Sequence, residues 1–193
     1  PLTTHDQEPR TALLPLASPA QNAQLALGAP DMMHKRLHQK WRNRLRRAQN
    51  AGLRLQHGPL VAGSDHWVLA ADRAQQRSRG YGTWPTHLTE AYAGGDLRHA
   101  VMFEAYADDM PLAAMLFLRH GSAASYHIGH ATPAGRAANA HNLLMWHAMV
   151  WLADHGHDKV DLGLLDTEGA PGLARFKLGT GAQVQSLGGT RLS

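Results

Sequence analysis

The sequence lacks cysteine altogether, which excludes thiol nucleophiles, disulfide bonds and cysteine-ligated zinc. It also lacks a long hydrophobic run: the longest, residues 143–153, is too short to cross a membrane and contains His147. The first ten residues have no apolar core of the kind that signal peptides carry. We therefore expect a cytoplasmic protein without a membrane span, in which residues 143–153 form a buried helix.

Charge is sparse in this chain. Charged residues make up 18% of the 193 residues and hydrophobic residues 44%. This hydrophobic content is enough for one core, and the chain is too short for two domains. The net charge of +4 and the pI of about 9.8 favour an anionic partner. We expect one domain over residues 11–193, preceded by a flexible N-terminus over residues 1–10.

Histidine, in contrast, is abundant, with 14 copies. His34 with His38, and His127 with His130, have spacings that metal ligands use. No HExxH or comparable signature with a carboxylate accompanies them. We therefore expect no metal site and interpret the histidines as scattered surface or core residues.

Apolar spacing and turn residues predict the helices. One stripe at helical spacing predicts a single helix from about residue 33 to Gly52. The stripe consists of Leu37, Trp41, Leu45 and Ala48. Further helices are predicted over residues 64–77 with Ser64 as N-cap, after the Trp-Pro pair at 84–85, over 132–156, and over 172–179.

The strands form a second group of predicted elements. Residues 98–106, 112–120 and 124–131, joined by tight turns, predict an antiparallel meander. Residues 11–17 predict an edge strand interrupted by Pro15, residues 159–163 a short strand, and residues 182–192 a hairpin-like pair. This order predicts a single α/β (α+β) domain. A strand, a helix and then a parallel strand is the usual place for an anionic ligand.

A basic segment is the first candidate for function. No acidic residue occurs between Met32 and Ser64, whereas eight basic residues do. Because guanidinium groups grip paired phosphate oxygens, the segment predicts a surface for a polyphosphate or RNA. Its central arginines are Arg42, Arg44, Arg46 and Arg47. The alternative is a solvated helix face whose arginines pair with distant carboxylates.

The strand at 124–131 and the loop after it are the second candidate. Strict alternation predicts two faces. They are Tyr126, Ile128 and His130 on one side, and Ser125, His127 and Gly129 on the other. Gly129 would permit a close approach to the backbone, and the next helix start, with Arg136, favours phosphate. The alternative is a plain strand-turn-helix connection.

Asp161 and Lys177 are the third candidate. Asp161 lies in the strand at 159–163, and Lys177 is one of only four lysines, in an otherwise small and apolar stretch. A buried lysine costs free energy unless an anion meets it. A carboxylate and a lysine beside one cleft suit acyl transfer, where one group orients or deprotonates an amine and the other stabilises developing negative charge. The alternative is a structural Asp161–Lys177 pair.

Several segments together resemble Fem-type transferases and their GNAT-fold relatives. They are KWRNRLRRAQNAGLRL (40–55), RSRGYGTWP (77–85), LLMWHAMVWLADHGHDKVDLG (143–163) and GAPGLARFKLGTGA (169–182). The single spacings are loose, but their order and the Phe-Lys element at 176–177 are fairly specific. The resemblance extends over residues 35–190.

The resemblance implies a GNAT-like fold, with a mixed, mostly antiparallel sheet flanked by helices and a splayed central strand. It implies acyl transfer to an amine, from acyl-CoA in ordinary members and from aminoacyl-tRNA in Fem-type members, which contain two such units. It places Phe176 and Lys177 at the transfer site but dictates no general base, for which His127, His130, Tyr126 and Asp161 are candidates by position only. The donor-binding candidates that follow from it are Gly129, Gly135, Arg136, Asn139 and Asn142.

Two features depart from the family pattern. Thr180 stands where the family often has a second aromatic, and the usual pyrophosphate loop is missing after Arg136. Three functions therefore stay open: an N-acyltransferase using acetyl-CoA or another acyl-CoA, which leads; an aminoacyl-tRNA-dependent transferase; and a non-catalytic module that binds nucleic acid or protein. The expected acceptor is a small-molecule or peptide amine, and a homodimer is common for such folds.

Overall fold

The computed structural model describes residues 14–15, 20–80, 84–187 and 191–192. Its helices are α1 (Pro30–Arg36), α2 (Gln39–Gln49), α3 (Trp67–Arg79), α4 (Thr86–Gly95), α5 (Pro133–Ala137), α6 (Ala140–Asp154) and α7 (Pro171–Gly179). Its strands are β1 (Leu14–Pro15), β2 (Gln21–Ala26), β3 (Arg54–Pro59), β4 (Ala100–Ala107), β5 (Met110–His120), β6 (Ala123–Ala131), β7 (Lys159–Leu164), β8 (Gln183–Ser186) and β9 (Arg191–Leu192). The predicted flexible segment 1–10 and most of the predicted strand 11–17 lie outside the described residues.

Seven strands form one mixed sheet in the order β3-β4-β5-β6-β7-β2-β8, and β1 pairs with β9 separately. Neighbours in the large sheet are antiparallel except β6 and β7, which are parallel. The predicted meander corresponds to β4, β5 and β6. The predicted fold class, a mixed and mostly antiparallel sheet flanked by helices, is confirmed.

Helices cover the sheet from both sides. The larger core lies between the sheet and helices α2 and α6, and includes Trp41, Phe103, Phe117 and Leu144. The smaller core lies under α3 and includes Val68 and Leu116 among others. Helix α6 is apolar on most faces because it packs across β4, β5 and β6, as predicted. Among the described residues, no helix has both the length and the apolar character that crossing a membrane requires.

The single helix predicted over residues 33–52 is wrong, because the chain breaks it into α1 and α2. Leu37 and His38 between them are extended, with ψ angles of 137° and 148°. The His38 backbone N–H donates to the Gly179 carbonyl at the end of α7, at 2.9 Å. A contact with a residue far along the chain therefore replaces a helical hydrogen bond, while Leu37 stays buried on the predicted stripe.

The predicted C-terminal hairpin is also wrong. Strand β8 pairs with β2, and β9 pairs with β1, so neither strand pairs with the other. Strand β2, whose sequence QNAQLA is too polar to have predicted a strand, inserts between β7 and β8. The N-terminal part of the chain thus supplies the partner that a hairpin would have supplied.

Two predicted helices differ in their starts or continuity. Helix α3 begins after His66, whose side chain accepts a hydrogen bond from the Val68 N–H at 3.3 Å, and not at Ser64. The helix predicted over 132–156 is divided into α5 and α6 at Ala138 and Asn139, where Asn139 takes a positive φ of 55°.

Strand β6 contains a bulge that strict alternation does not predict. Leu116 of β5 pairs with Ile128, but its neighbour Phe117 pairs with Tyr126, so His127 is an extra residue in β6. Tyr126 consequently packs on the larger core, whereas Ile128 belongs to the smaller core. The predicted common face for Tyr126 and Ile128 is therefore wrong.

Candidate active site

Strands β6 and β7 part after a short parallel ladder. The paired residues are Ala123 with Lys159, Ala124 with Val160, and Ser125 with Asp161. Strand β6 continues to Ala131 while pairing only with β5. Backbone groups of residues 126–131 that point towards β7 therefore have no ladder partner in the sheet, and an unpaired backbone group needs another hydrogen-bonding group. This is the splayed central strand that the family resemblance implied.

Lys177 projects from α7 to the end of β7. Its side chain is only 5% exposed, and its Nζ donates to the Leu164 carbonyl at 2.8 Å. Gly163 lies next to the ammonium, since a Cβ there would be in ordinary contact with Nζ at 3.7 Å, and its φ of 77° is one that favours glycine. Burial lowers the pKa of Lys177, and the charge of Asp161 opposes that shift. An ammonium has three donors, so Lys177 retains capacity for an anionic group.

Asp161 is held in a defined orientation beside this lysine. Its Oδ1 accepts hydrogen bonds from Asn22 Nδ2 at 2.8 Å and from the Gly163 N–H at 2.7 Å. Asn22 comes from β2, so the inserted strand positions the carboxylate of the strand next to it. The Asn22 Oδ1 atom is buried without a hydrogen-bond partner in the described structure.

Phe176 connects α7 to two other helices. Its ring centroid lies 6.1 Å from that of Trp41 in α2 and 6.0 Å from that of His141 in α6. The Nε2 atom of His141 is buried without a partner among the described residues. Burial lowers the pKa of His141, and a contact with the backbone of His130 opposes the shift. The start of α6, the end of β6 and α7 therefore meet at one place.

The sequence did not single out His141. It is one of 14 histidines, and the only signal for it was its place near the start of a helix that follows a strand. Its proximity to Phe176 depends on the packing of α6 against α7, which sequence spacing does not report.

His127 and His130 lie towards the other layer of helices. The Nε2 of His127 is 2.7 Å from the Thr89 hydroxyl of α4, and the His130 ring contacts Trp67 of α3 edge-on at 5.8 Å. Burial lowers the pKa of both imidazoles, and the charge of Asp72 opposes it in each. His130 adjoins His141, which packs on Phe176 next to Lys177. His127, the extra residue of the bulge, faces α4.

The predicted donor-binding residues surround the β6–α6 connection. Gly135 lacks a Cβ because one would overlap the Leu112 carbonyl, and the Arg136 guanidinium donates to the Ala131 carbonyl. Asn139 is the N-cap of α6. Asn142 is 5% exposed, and its Nδ2 has no partner among the described residues.

Gly129 lies directly under a tyrosine. A Cβ at this position would overlap the Tyr126 hydroxyl, so the glycine allows the phenol to lie against the β6 backbone. The phenol oxygen therefore lies over the β6 backbone, in the part of the strand that β7 does not pair.

The basic segment is largely exposed on α2. Arg42 donates to the Leu37 carbonyl at 2.9 Å and so closes the α1–α2 break. Arg44, Arg46 and Arg47 are exposed and form no salt bridge within the described ranges. Helix α2 packs on α6 and α7, which places this basic surface on the same layer as Phe176. No group of three histidines or carboxylates in the described part of the chain is arranged to hold a metal ion.

Comparison with known proteins agrees with this geometry. Residues 35–182 match the family described as the acetyltransferase (GNAT) domain. Among solved structures, the fold is similar to FemX with a TM-score of 0.67 at 13% identity, covering 88% of this chain and 60% of that one. A tandem GNAT protein from the clavulanic acid biosynthesis pathway has a TM-score of 0.55 at 13% identity, covering 89% of this chain and 52% of that one.

A third structure, L-PGS from Bacillus licheniformis, has a TM-score of 0.50 at 10% identity and covers 77% of this chain and 46% of that one. The chain thus spans less than two thirds of the length of each of these structures. At these identities the similarity establishes the fold. No curated protein sequence matches the chain.

Proposed function

Because this chain belongs to the family of GNAT acetyltransferase domains, we propose that it is an N-acyltransferase that moves an acyl group from acyl-CoA to a primary amine. The observation that carries the proposal is the gap between β6 and β7. It exposes unpaired backbone groups of residues 126–131 beside Asp161 and Lys177. Such groups are suited to hold a thioester carbonyl while an amine attacks it.

The proposed step is direct transfer. A backbone N–H near Gly129 polarises the thioester carbonyl, and the amine nitrogen attacks the carbonyl carbon. A C–N bond forms, the C–S bond breaks, and the departing thiolate takes up a proton while the amine loses one. The products are an amide and free CoA. The chain has no cysteine to form a covalent intermediate.

The surrounding side chains have separate roles in this proposal. Lys177 stabilises negative charge on the carbonyl oxygen or on the donor's phosphates, and Phe176 packs beside it. Asp161 orients the amine. His127 or His130 accepts its proton, since burial lowers their pKa values and favours neutral imidazole at pH 7. Donor contacts come from the predicted donor-binding residues around the β6–α6 connection. Acyl-CoA is a cytoplasmic metabolite, so we assign the protein to that compartment.

Calorimetric titration with acetyl-CoA and with CoA tests the donor. We expect both to bind, and we expect Arg136→Gln to weaken binding, because Arg136 lies at the β6–α6 connection. The matched control is Arg47→Gln on exposed α2, which should leave CoA affinity unchanged. Absence of binding at millimolar ligand would exclude acyl-CoA as the donor.

An aminoacyl-tRNA donor is the second candidate, and one contact favours it. Trp41 of α2 packs on Phe176 next to Lys177, so a polyanion bound along the exposed arginines of α2 would end close to the transfer site. Neutralised phosphates make nucleic-acid binding weaken with salt, with a slope of about 0.7–0.9 for each contact.

Salt dependence of tRNA binding tests this candidate. Replacing Arg44, Arg46 and Arg47 by alanine should flatten the slope by about two to three. A control variant replaces three arginines elsewhere, Arg73, Arg77 and Arg98, and should keep the wild-type slope. If the two triple variants behave alike, α2 has no part in binding.

A further inference from the structure

A polar cavity lies on the sheet face opposite the larger core. Leu25, Val160 and Leu162 point into that core. Because side chains alternate along a strand, Lys159 and Asp161 of β7 and Gln24 of β2 point to the opposite face. There they line a cavity of about 410 Å³, together with His120, Ser122 and Ala123. This volume is within the range of small-molecule sites.

The cavity carries opposite charges at its two ends. Lys159 and Asp161 are two residues apart on one strand, so their backbone positions are about 6.6 Å apart. A neighbouring cavity of about 280 Å³ shares Gln24 and Lys159 and adds Arg36 and Asp158. Asp158 accepts a hydrogen bond from the Ser122 hydroxyl at 3.1 Å. The neighbouring cavity, which meets the first one at Lys159, thus has two cations and one carboxylate and is net positive.

The Asp161 end has an acceptor atom available. Its Oδ1 is occupied by Asn22 and the Gly163 N–H, while its Oδ2 has no hydrogen bond among the described residues. A cation in the cavity is therefore able to approach this oxygen. Between the two ends, the His120 Nε2 and Ser125 hydroxyl form a hydrogen bond of 2.8 Å.

The cavity also adjoins the gap in the sheet. Asp161 pairs with Ser125, and this is the last pair before β6 and β7 part. A group held by Asp161 is thus placed at the point where the unpaired β6 backbone begins. The same carboxylate is close enough to influence Lys177, so Asp161 borders both the cavity and the proposed transfer site.

We infer that the cavity binds the acceptor of the reaction as a small zwitterionic amine, with its ammonium at Asp161 and its carboxylate at Lys159. The assignment of this ligand as the acceptor rests on the proposed function, but its binding to the cavity does not require acyl transfer. Because the two protein charges are separated along the strand, the matching ligand has separated charges, as in γ-aminobutyrate, and not adjacent ones, as in glycine. Before attack the ammonium releases one proton to water through the open cavity.

An NMR titration of the isotope-labelled full chain without donor tests the inference. The probes are γ-aminobutyrate, glycine, and the single-charge analogues butylamine and butyrate. We expect γ-aminobutyrate to shift the backbone amides of Gln24, Ala123 and Lys159. We expect it to bind up to about fivefold more tightly than either single-charge analogue, since one exposed charge contact is worth up to about 1 kcal/mol.

Two variants assign the charges. Lys159→Gln should bind γ-aminobutyrate no better than butylamine, and Asp161→Asn no better than butyrate. Lys40→Gln, which removes an exposed lysine on α2, is the matched control and should behave as wild type. Equal affinity for all probes, or shifts outside the cavity, would overturn the inference.

The outcomes separate this inference from the proposed function. Selective γ-aminobutyrate binding without CoA binding would refute the acyl-CoA function and leave the cavity assignment in place. Transfer from acetyl-CoA to amines with no preference for a zwitterion would support the acyl-CoA function and refute the cavity assignment.

Discussion

At the residue scale, Lys177 is a cation in a poorly solvated place. Its one hydrogen bond within the described structure goes to the Leu164 carbonyl and not to a carboxylate. Burial lowers its pKa, with opposition from Asp161, so the folded state disfavours the charged form. A side chain that costs folding free energy and faces a gap in the sheet is suited to binding a charged ligand.

We predict that Lys177→Met slows transfer strongly without lowering stability. The pKa of this lysine is lower in the folded state than the value of roughly 10.4 in the unfolded chain. The charged lysine therefore lowers the stability of wild type at neutral pH, and this loss of stability disappears as pH rises towards that value. The variant should be more stable at pH 7 by about 1 kcal/mol, a gain that shrinks as pH rises through the folded pKa of Lys177 and is gone above about pH 10.4. Loss of a charge-stabilising donor should reduce the rate by about 100-fold or more.

Urea unfolding at pH 7 and pH 10, with a transfer assay, measures both parts of the Lys177 prediction. A variant that retains full activity would mean that Lys177 has a structural role and no catalytic one.

Replacing glycine by alanine at two positions should change stability in opposite directions. In Gly135→Ala the new Cβ overlaps the Leu112 carbonyl, which should cost about 1–3 kcal/mol. In Gly172→Ala, at an exposed position of α7, the new Cβ meets nothing within 4 Å, which should stabilise the helix by about 0.5–1 kcal/mol. Thermal or urea unfolding of both variants checks the pair. Destabilisation of both to the same extent would show that the α5 contact is not what requires Gly135.

At the element scale, β6 is asymmetric. One edge is fully paired with β5, while the other is paired with β7 only as far as Ser125. The bulge at His127 lies just beyond that point. It moves Ile128 to the face opposite Tyr126, and the extra residue, His127, reaches Thr89 of α4. A local irregularity in one strand thus determines which side chains border the gap.

Hydrogen exchange should reveal this asymmetry. Along residues 126–131, amides bonded to β5 should exchange slowly, whereas those pointing at the gap should exchange faster by at least about tenfold, because only local opening protects them. A bound acyl donor should slow the fast set. Strand β4, which is paired on both edges, is the internal control and should be slow throughout. Uniform protection across residues 126–131 would contradict an open gap.

At the scale of the whole molecule, buried imidazoles link stability to pH. Burial lowers the pKa of five histidines: His127, His130, His141, His147 and His157. Burial disfavours the charged form of each imidazole, whereas the unfolded chain takes up a proton near pH 6.5. Their contribution to stability is therefore present above pH 6.5 and is lost as pH falls through the folded pKa values.

Glu104 reinforces acid sensitivity at lower pH. Burial would raise its pKa, but hydrogen bonds from His66, Gln56, Trp67 and Tyr106 outweigh burial and lower the pKa to about 2. The stability that this carboxylate contributes is present above the unfolded value and is lost as pH falls towards about 2.

We predict that the melting temperature falls by on the order of 5 °C between pH 7 and pH 5. Calorimetry over this range measures it. His141→Gln should reduce the pH dependence, whereas His87→Gln, an exposed histidine on α4, should leave it unchanged. A melting temperature that is constant from pH 7 to pH 5 would mean that the imidazoles stay accessible to protons. A homodimer stays a prediction, and its concentration dependence would appear in the same scans.

The local sequence pattern was sufficient to predict much of this fold. Helices α6 and α7 and the β4–β5–β6 meander follow from apolar period and turn residues, because those signals act over a few residues. The proximity of Asp161 in β7 to Lys177 in α7 also follows from local sequence, since the two residues are close along the chain. The fold class and the proximity of Asp161 to Lys177 were therefore predictable from the sequence, while the catalytic role of Lys177 stays a prediction.

Contacts between distant residues decided the rest. The α1–α2 break depends on Gly179, which lies far from His38 in sequence. The place of β2 depends on two strands near the other end of the chain, and the bulge at His127 on its register with β5. His141 reaches Phe176 only when α6 and α7 pack. No local period encodes such pairings, because their free energy comes from groups that meet only after the chain has folded.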